Sequence, residues 1–367
     1  RRADQPDVAV APVVQATGPL PDLRGCVPIS FGFGGRPGRL RRLGEQGSSG
    51  VIEQLQSTQG PAGDIDGRDL HGSPGGVSLF HDAAGIESGT VTAGTEADLF
   101  ERRSGPIGVF DSGFGGLTVA RAILDQMPGE DMIYLGDTAR APYGTKSIPE
   151  VREYALECLD YLAEQDVKAL VIACNSASSA VLRDARERYD QPVIDVILPA
   201  ARRAVRVTKT GKIGLICTEA TATSQSYDDA LTAVPGVELV TAPCPLFVDF
   251  VEAGVTGGTE LLEAARNYLL PLRESAIDTL ILGCTHYPLL AGVISYVIGD
   301  DVTLVSSAEE CAKETFATLT DHGLLHTAPR SRSLRFLTTG SPEMFEGIGR
   351  RLLGGFVTEV EQVYTLT

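Results

Sequence analysis

Residues Leu280–Leu290 read LILGCTHYPLL, and the fold is inferred outward from this stretch. An apolar run leads into Cys284, Thr285 and His286, and a proline follows shortly after. An apolar run that ends abruptly in polar residues is typical of a buried parallel strand meeting the loop at its carboxyl end. In open α/β sheets, ligands bind at that end. The stretch therefore predicts a strand that delivers a thiol and an imidazole to a binding cleft.

A second stretch repeats the arrangement. Residues 169–173 read ALVIA and run directly into Cys174, Asn175 and Ser176. Two buried strands that each end in a cysteine predict two thiols in one cleft. We therefore expect the sulfur atoms of Cys174 and Cys284 to bracket a bound molecule.

Composition excludes several classes of protein. The chain has 367 residues, which is enough for two or three domains, and 43% of them are hydrophobic. Its formal net charge of −17 disfavours binding to nucleic acid or to an anionic membrane, because both need a basic face. No apolar run approaches the roughly 20 residues of a membrane span. We expect neither nucleic acid nor membrane as a partner.

Cysteine usage indicates a reducing compartment. The seven cysteines are scattered, form no CxxC pair and are odd in number. No apolar segment of a signal peptide follows Arg1 and Arg2. We therefore expect reduced thiols and a cytoplasmic protein.

The first 104 residues differ from the rest. They hold 18 of the 41 glycines and no lysine, and they show neither hydrophobic period. Such a segment buries too little apolar surface to offset the entropy of ordering the chain. We predict a poorly ordered glycine-rich extension over residues 1–104.

From Pro106 onward, short apolar strands alternate with helical patterns, and a second such series starts at Lys212. This alternation predicts α/β architecture: two similar domains with mostly parallel sheets covered by helices, and an active site in the cleft between them. Among the helices, we expect one over Ser178–Tyr189 and one over Ser224–Ala233. The last expected element is a helix over Pro342–Leu353.

The two thiols each have a candidate partner for proton transfer. His286 lies two residues after Cys284 and is the only histidine between Pro106 and Asp321. Asp111 ends the first strand and would lie beside Cys174 if those two strands are neighbours. A thiol needs such a neighbour to favour its thiolate or to move its proton. Two partnered thiols suit a reaction in which one removes a proton and the other returns it to the opposite face.

Other polar residues at the strand ends suit an amino-acid ligand, since hydroxyl, amide and backbone N–H groups can hold carboxylates at helix N-termini. These are Ser112, Tyr143, Gly144, Asn175, Ser176, Thr218, Thr221, Ser224 and Thr285.

Each candidate functional residue also has a structural interpretation. A lone cysteine after a strand is more often a buried packing residue, and we interpret Cys26, Cys158, Cys244 and Cys311 in that way. Cys284 and His286 have the wrong spacing for a zinc site. None of the five lysines falls at a polar strand end, where a Schiff base would be needed. We therefore expect no metal and no cofactor.

Four ordered motifs resemble one family. GVFDSGFGGLTV, YLGDTARAPYGTKS, VIACNSAS and LGCTHYPLL are similar to segments of glutamate racemases, in the cofactor-independent aspartate/glutamate racemase superfamily. CPLFVDFVEAGVTGG and VTLVSSAEE add to the likeness and resemble the actinobacterial branch. The similarity runs from about Pro106 to about Leu353. The resemblance implies interconversion of L- and D-glutamate, which supplies D-glutamate for peptidoglycan and thereby serves cell wall biogenesis and cell shape.

The resemblance also assigns residues by motif match. Cys174 and Cys284 would be the acid/base thiols, assisted by Asp111 and His286. It implies that residues 105–207 and 308–367 form the first domain and residues 208–307 the second. We further expect a homodimer. Substrate contacts would come from Asp111, Ser112, Tyr143, Gly144, Asn175, Ser176, Thr218, Thr285 and His286.

Two departures from the family pattern are visible. Ser176 stands where threonine is common and keeps the hydroxyl. Cys217 stands where glycine usually precedes Thr218, so the following loop would shift if that position needs positive φ or a close backbone approach.

Three other functions stay open. The chain could racemise aspartate or a related amino acid. It could be a hydrolase with Cys284 as nucleophile and His286 as base, although this leaves Cys174 unexplained. It could also be a non-catalytic binding protein that keeps the fold.

Overall fold

The computed structural model describes residues 103–326 and 332–364. The prediction for residues 1–104 therefore falls almost entirely outside the described part of the chain. Within these ranges the strands form two sheets, and every recorded strand pair is parallel. The predicted fold class, α/β with mostly parallel sheets, is confirmed.

The first sheet has the strand order β10-β9-β2-β1-β3-β4. Its strands are β1 (Ile107–Asp111), β2 (Met132–Gly136), β3 (Ala169–Ile172), β4 (Val193–Asp195), β9 (Leu334–Thr338) and β10 (Val360–Gln362). The second sheet has the order β6-β5-β7-β8. Its strands are β5 (Lys212–Cys217), β6 (Glu238–Pro243), β7 (Thr279–Gly283) and β8 (Thr303–Ser306).

Helices follow the strands in an alternating series. They are α1 (Leu117–Gln126), α2 (Ile148–Ala163), α3 (Asn175–Arg188), α4 (Ile197–Val207), α5 (Glu219–Ser224), α6 (Ser226–Thr232), α7 (Leu246–Glu252), α8 (Thr259–Glu274), α9 (Ala291–Ile298), α10 (Ser307–Asp321) and α11 (Pro342–Leu353). Single 3-10 turns lie at Tyr143–Thr145, Tyr287–Leu290 and Gly354–Phe356. Of the described helices, none is long and apolar enough to cross a membrane.

Each sheet reverses its strand order next to its first strand. From β1 the chain passes to β2 on one side and to β3 on the other. From β5 it passes to β6 and then to β7 in the same way. The crevice outside the carboxyl ends at such a reversal is where open α/β sheets bind ligands. The strands beside the two reversals are the ones that lead into Asp111, Cys174, Thr218 and Cys284.

The C-terminal segment returns to the first sheet. Strand β9 pairs with β2, and β10 pairs with β9 at the edge. The sequence analysis missed β10, because Val360–Gln362 is a short, largely exposed edge strand without an apolar run. The domain boundaries at residues 207/208 and 307/308 stay a prediction.

Two helices differ from the sequence expectation. Helix α3 begins at Asn175 and not at Ser178, so Cys174 itself is the N-cap residue. The helix expected over Ser224–Ala233 is two helices, because Gln225 adopts a left-handed conformation with φ of +56° and interrupts the helical hydrogen bonds. The first difference brings a helix N-terminus into the cleft.

Candidate active site

The two sheets enclose a cavity at their carboxyl ends. Its empty volume is about 770 Å³, which includes open solvent at its mouth. Both Cys174 and Cys284 line it. The other lining residues are Ser112, Gly113, Ala141, Pro142, Tyr143, Gly144, Thr145, Asn175, Ser176, Thr218, Glu219, Pro245, Val248, Asp249, Glu252, Thr285 and His286.

The Cys174 sulfur sits at the N-terminus of α3. It accepts a hydrogen bond from the Ala177 backbone N–H at 3.4 Å and donates its S–H to Ser112 Oγ at 3.3 Å. Burial raises the pKa of Cys174 to about 12, and the negative charge of Asp111 adds to this, while the bonds to Ser112 and Ala177 oppose it. The charge of Cys284 raises the same pKa further. Cys174 is therefore a buried thiol in its resting form.

Asp111 lies behind the cavity wall and is only 1% exposed. Its strand β1 pairs directly with β3, which leads into Cys174, as the sequence analysis supposed. Its carboxylate accepts hydrogen bonds from the Gly113 N–H at 2.9 Å and from the Tyr134 hydroxyl at 3.2 Å. Burial raises the pKa of Asp111, although the charge of His286 and these bonds oppose the rise. Asp111 is not among the lining residues, so its contact with substrate stays a prediction.

Cys284 has a different environment. Its sulfur lies 3.6 Å from Nδ1 of His286, and Nε2 of His286 lies 3.2 Å from the Glu252 carboxylate. Burial by itself lowers the pKa of His286, but the hydrogen bonds and charges of Cys284 and Glu252 outweigh it and raise the pKa to about 10. The Cys284 sulfur and the Glu252 carboxylate, one on each ring nitrogen, therefore favour the imidazolium form of His286.

Two glycines of the DSGFGG turn permit close approach. A Cβ atom on Gly115 would lie 2.5 Å from His286 Nδ1 and 2.7 Å from Thr285 Oγ1. A Cβ atom on Gly116 would lie 2.5 Å from the Asp111 side chain. Only glycine lets the first sheet approach His286 and Thr285 of the second sheet so closely.

Thr218 bridges the two walls of the cavity. Its Oγ1 lies 2.9 Å from Ser176 Oγ, and its side chain packs against Gly144, where a Cβ atom would come within 2.9 Å. The preceding Cys217 lies in extended β5 opposite Gly283 of β7, and burial raises its pKa to about 12. Because its strand neighbour has no side chain, Cys217 is accommodated without positive φ. Position 217 therefore does not need positive φ, and an effect of Cys217 on the loop of Thr218 stays a prediction.

The Tyr143–Gly144 turn is fixed by hydrogen bonds to residues that do not line the cavity. The Tyr143 hydroxyl donates to the fully buried Asp137, which also accepts hydrogen bonds from Arg140 Nε at 2.7 Å and Thr339 Oγ1 at 2.7 Å. Thr339 follows β9, so the C-terminal segment supports this wall of the cavity.

Asn175 is oriented by groups outside the cavity. Its Oδ1 accepts from the Tyr227 hydroxyl at 2.8 Å, and its Nδ2 donates to Ser307 Oγ at 3.3 Å. Since Nδ2 carries two hydrogens, one stays available to a ligand.

The structure brings eight of the nine predicted substrate-binding residues, all but Asp111, to one cavity together with both thiols. Sequence reasoning missed Glu252, which is 34 residues from His286 in the chain and meets it only through folding. The segment CPLFVDFVEAGVTGG, which contains Glu252, was the available signal. Glu219 and Asp249 were also missed.

The ionisable lining is acidic. Glu219, Asp249 and Glu252 contribute carboxylates, and no lysine or arginine stands among the described lining residues. Apart from the His286 ring, the groups that can hold carboxylates of a ligand are therefore hydroxyl, amide and backbone N–H donors. In residues 103–326 and 332–364, no three His, Cys, Asp or Glu side chains are grouped to hold a metal ion.

Comparison with known proteins agrees with the motifs. A family model described as Asp/Glu/hydantoin racemase matches residues 107–315. A glutamate racemase of Parafrankia sp. is 60% identical over 256 residues, covering 70% of this chain and 93% of that protein.

Solved structures agree as well. Glutamate racemase isoform RacE1 of Bacillus anthracis is 43% identical, with a TM-score of 0.66 over 71% of this chain and 98% of that one. The glutamate racemase of Francisella tularensis, crystallised in complex with D-glutamate, is 35% identical, with a TM-score of 0.66 over 72% and 98%. The resemblance inferred from the motifs is confirmed. The chain belongs to the Asp/Glu/hydantoin racemase family and is an amino-acid racemase, an isomerase.

Proposed function

We propose that the chain interconverts L- and D-glutamate by proton transfer between two thiols and the α-carbon. The observation that carries the proposal is that Cys174 from the first sheet and Cys284 from the second line one cavity, each with its own partner group. The high identity to glutamate racemases supports glutamate as the substrate.

In the proposed reaction, the two thiols carry out both proton transfers. One cysteine, as the thiolate, takes the α-proton, and the electron pair of the broken C–H bond stays on the substrate as a carbanion. The other cysteine, as the thiol, donates its proton to the opposite face and becomes the thiolate. The substrate leaves as its mirror image, and the two sulfurs have exchanged protonation states.

The partner groups make the two steps chemically unequal. When Cys284 acts as the base, the imidazolium of His286 is 3.6 Å away and supports the negative charge on sulfur. When Cys174 acts as the base, the charge must form in a buried site beside Asp111, aided by the Ser112 hydroxyl and the Ala177 N–H. The two partner groups thus act in opposite ways: His286 favours the thiolate of Cys284, whereas the negative charge of Asp111 favours the protonated thiol of Cys174, which suits its role as the acid.

Substrate binding follows from the lining. The hydroxyl and amide groups of Ser112, Asn175, Ser176, Thr218 and Thr285 are placed to hold the two carboxylates of glutamate. The acidic lining residues attract the substrate ammonium group. Tyr143 and Gly144 close the remaining wall.

We further propose a biological setting. D-glutamate formed by the enzyme supplies peptidoglycan synthesis and thereby cell wall biogenesis and cell shape. The enzyme acts in the cytoplasm, as a homodimer. Sedimentation equilibrium of the purified chain tests the dimer.

The function is tested by incubating the purified chain with L- or D-glutamate, without added cofactor, and following circular dichroism. We expect both enantiomers to reach the same racemic mixture, with aspartate much slower. Equal or faster racemisation of aspartate would replace the substrate assignment. Absence of racemisation with either amino acid would overturn it.

The same assay on a chain that lacks residues 1–104 tests the extension. We expect racemisation to survive, because the described residues that line the cavity all follow position 111. Loss of activity in a folded, truncated chain would make the extension part of the active unit.

A further inference from the structure

The C-terminal end of α7, a helix that follows a strand of the second sheet, is held by a residue of α11, a helix that follows a strand of the first sheet. Nη2 of Arg351 donates a hydrogen bond to the Glu252 carbonyl oxygen at 3.2 Å. Arg351 belongs to α11, whose Phe345 packs against Phe114 with ring centroids 5.4 Å apart. Since α7 follows β6 of the second sheet and α11 follows β9 of the first, this bond joins the two halves beside the cavity.

The bond is placed where a helix end needs it. The last carbonyl groups of a helix lack partners within the helix, and a cation at that end is favoured by the helix dipole. The chain turns away at Gly254, which has φ of +77°, and the Arg351 guanidinium lies over it: a Cβ there would be 3.8 Å from Nη1. Residues 253–258 are all exposed. Arg351 therefore anchors the point where α7 gives way to an exposed segment.

Both the backbone and the side chain of Glu252 are held by other residues. Its carbonyl group accepts from Arg351, and its carboxylate lies 3.2 Å from Nε2 of His286, which in turn contacts Cys284. The Glu252 side chain is about one-third exposed, so its position depends on where the helix end is held. Arg351 is not among the lining residues of the cavity.

We propose that Arg351 is a positioning residue for the Cys284 half of the reaction: by fixing the end of α7 it keeps the Glu252 carboxylate on His286. The proposal rests on the two-thiol racemisation proposed above. It assigns Arg351 no contact with substrate and no influence on the Cys174 half.

Three variants test it. Arg351→Met removes the donor and keeps the length of the side chain, Arg351→Lys keeps a cation, and Arg350→Met is the matched control because Arg350 pairs with Glu346 on its own helix. For Arg351→Met we expect kcat to fall about tenfold, the size of one charge-assisted hydrogen bond, with little change in KM. Arg351→Lys should recover part of the loss, and Arg350→Met should match the unchanged chain.

Kinetic isotope effects show which of the two proton-transfer steps the substitution slows. The two enantiomers have equal free energies, so any variant changes kcat/KM by the same factor in both directions. With α-deuterated L- and D-glutamate, Arg351→Met should increase the primary isotope effect only in the direction in which Cys284 removes the proton. An equal increase in both directions would contradict the proposal.

A double-mutant comparison decides whether Arg351 acts through Glu252. If it does, Arg351→Met added to Glu252→Gln should cause no further loss, because coupled residues are not additive. Independent, additive losses would overturn the proposal.

A readout without turnover separates this proposal from the proposed function. NMR titration of the His286 ring, whose ionisable neighbours are Cys284, Glu252 and Asp111, should give a lower pKa in Arg351→Met than in Arg350→Met. The same pKa in both variants would refute the positioning role. If the unchanged chain fails to racemise glutamate, the proposed function fails, and this titration still decides what Arg351 does.

Discussion

The two sides of the cavity present the same reactive atom in two different settings. Cys174 lies at the N-terminus of a 14-residue helix, with a buried carboxylate behind it and neutral donors around it. Cys284 lies before a 3-10 turn, next to an imidazolium that is itself held by a carboxylate. Both cysteines are nearly buried, at 7% and 6% exposure.

The difference teaches how similar supersecondary units can supply unlike acid/base groups. Both cysteines follow a parallel strand, so the fold places them alike. What distinguishes the two settings comes partly from elsewhere in the chain: Asp111 and Ser112 lie on the Cys174 side, and Glu252 holds the His286 ring that contacts Cys284. Because a thiol is tuned by its neighbours, equal placement does not give equal chemistry.

The largest expected effect comes from removing either sulfur. Cys174→Ala and Cys284→Ala should each lower racemisation of glutamate by about 10⁴-fold or more, since each deletes an acid/base group that the other cannot replace. Each variant should keep one-sided proton removal, measured as elimination from an analogue with a leaving group at the β-carbon. The two variants should prefer opposite enantiomers of that analogue.

The control is Cys311→Ala, a buried cysteine in α10 away from the cavity. It should keep most of the activity. Near-normal racemisation in Cys174→Ala or Cys284→Ala would refute the two-thiol mechanism.

The second effect tests how closely the first sheet approaches His286. Gly115→Ala places a Cβ atom 2.5 Å from Nδ1 of His286, so the ring must move. We expect kcat to fall about 10²-fold, the usual consequence of a displacement near 1 Å. The matched control is Gly129→Ala, whose Cβ would meet nothing within 4 Å. Equal activity in the two variants would show that His286 tolerates the shift.

The third effect separates the two sides by pH. Glu252→Gln removes a carboxylate that raises the pKa of His286, so that pKa should fall from about 10 toward its ordinary value of 6.5. In the unchanged protein, the folded state holds this proton more tightly than the unfolded state. The resulting stability is fully present below about pH 6.5 and is lost as pH rises through about 10.

Urea unfolding across that range should therefore show a smaller loss of stability in Glu252→Gln, with activity reduced about tenfold. A stability profile unchanged by the substitution would mean that Glu252 does not hold the His286 proton. Asp249→Asn, an acidic neighbour on the same helix, is the comparison variant.

The smallest effect is expected on the Cys174 side. Ser112→Ala removes a hydrogen bond that lowers the pKa of Cys174, so that pKa should rise further above its present value of about 12. Activity should fall severalfold at neutral pH and recover partly as pH increases. A primary isotope effect that grows only in the direction in which Cys174 removes the proton would confirm that Ser112 acts on Cys174. Growth only in the opposite direction would contradict the assignment.

Much of this site could be predicted from the amino-acid sequence. Apolar runs that end in polar residues at Cys174 and Cys284 predicted parallel strands and the edge at which ligands bind. The position of Asp111 at the end of the first strand and the spacing of Cys284 and His286 predicted a candidate partner for each thiol. These features are local, and local patterns follow from the period of a strand and the conformational needs of a turn.

Other features depended on folding. Helix α3 extends back to Asn175 and makes Cys174 its N-cap, which no helical periodicity before Ser178 indicated. Strand β10 exists because β9 offers an edge for pairing, and Gln225 breaks a helix that its neighbours favour.

The sequence alone determined which strands end in reactive groups, because burial and turn chemistry are written within a few neighbouring residues. Only the tertiary structure decided what each sulfur touches. Glu252 reaches His286 across 34 residues, and Arg351 reaches Glu252 across 99. Such contacts arise when the two sheets are packed together, and a pattern along the chain does not record distances between its distant parts.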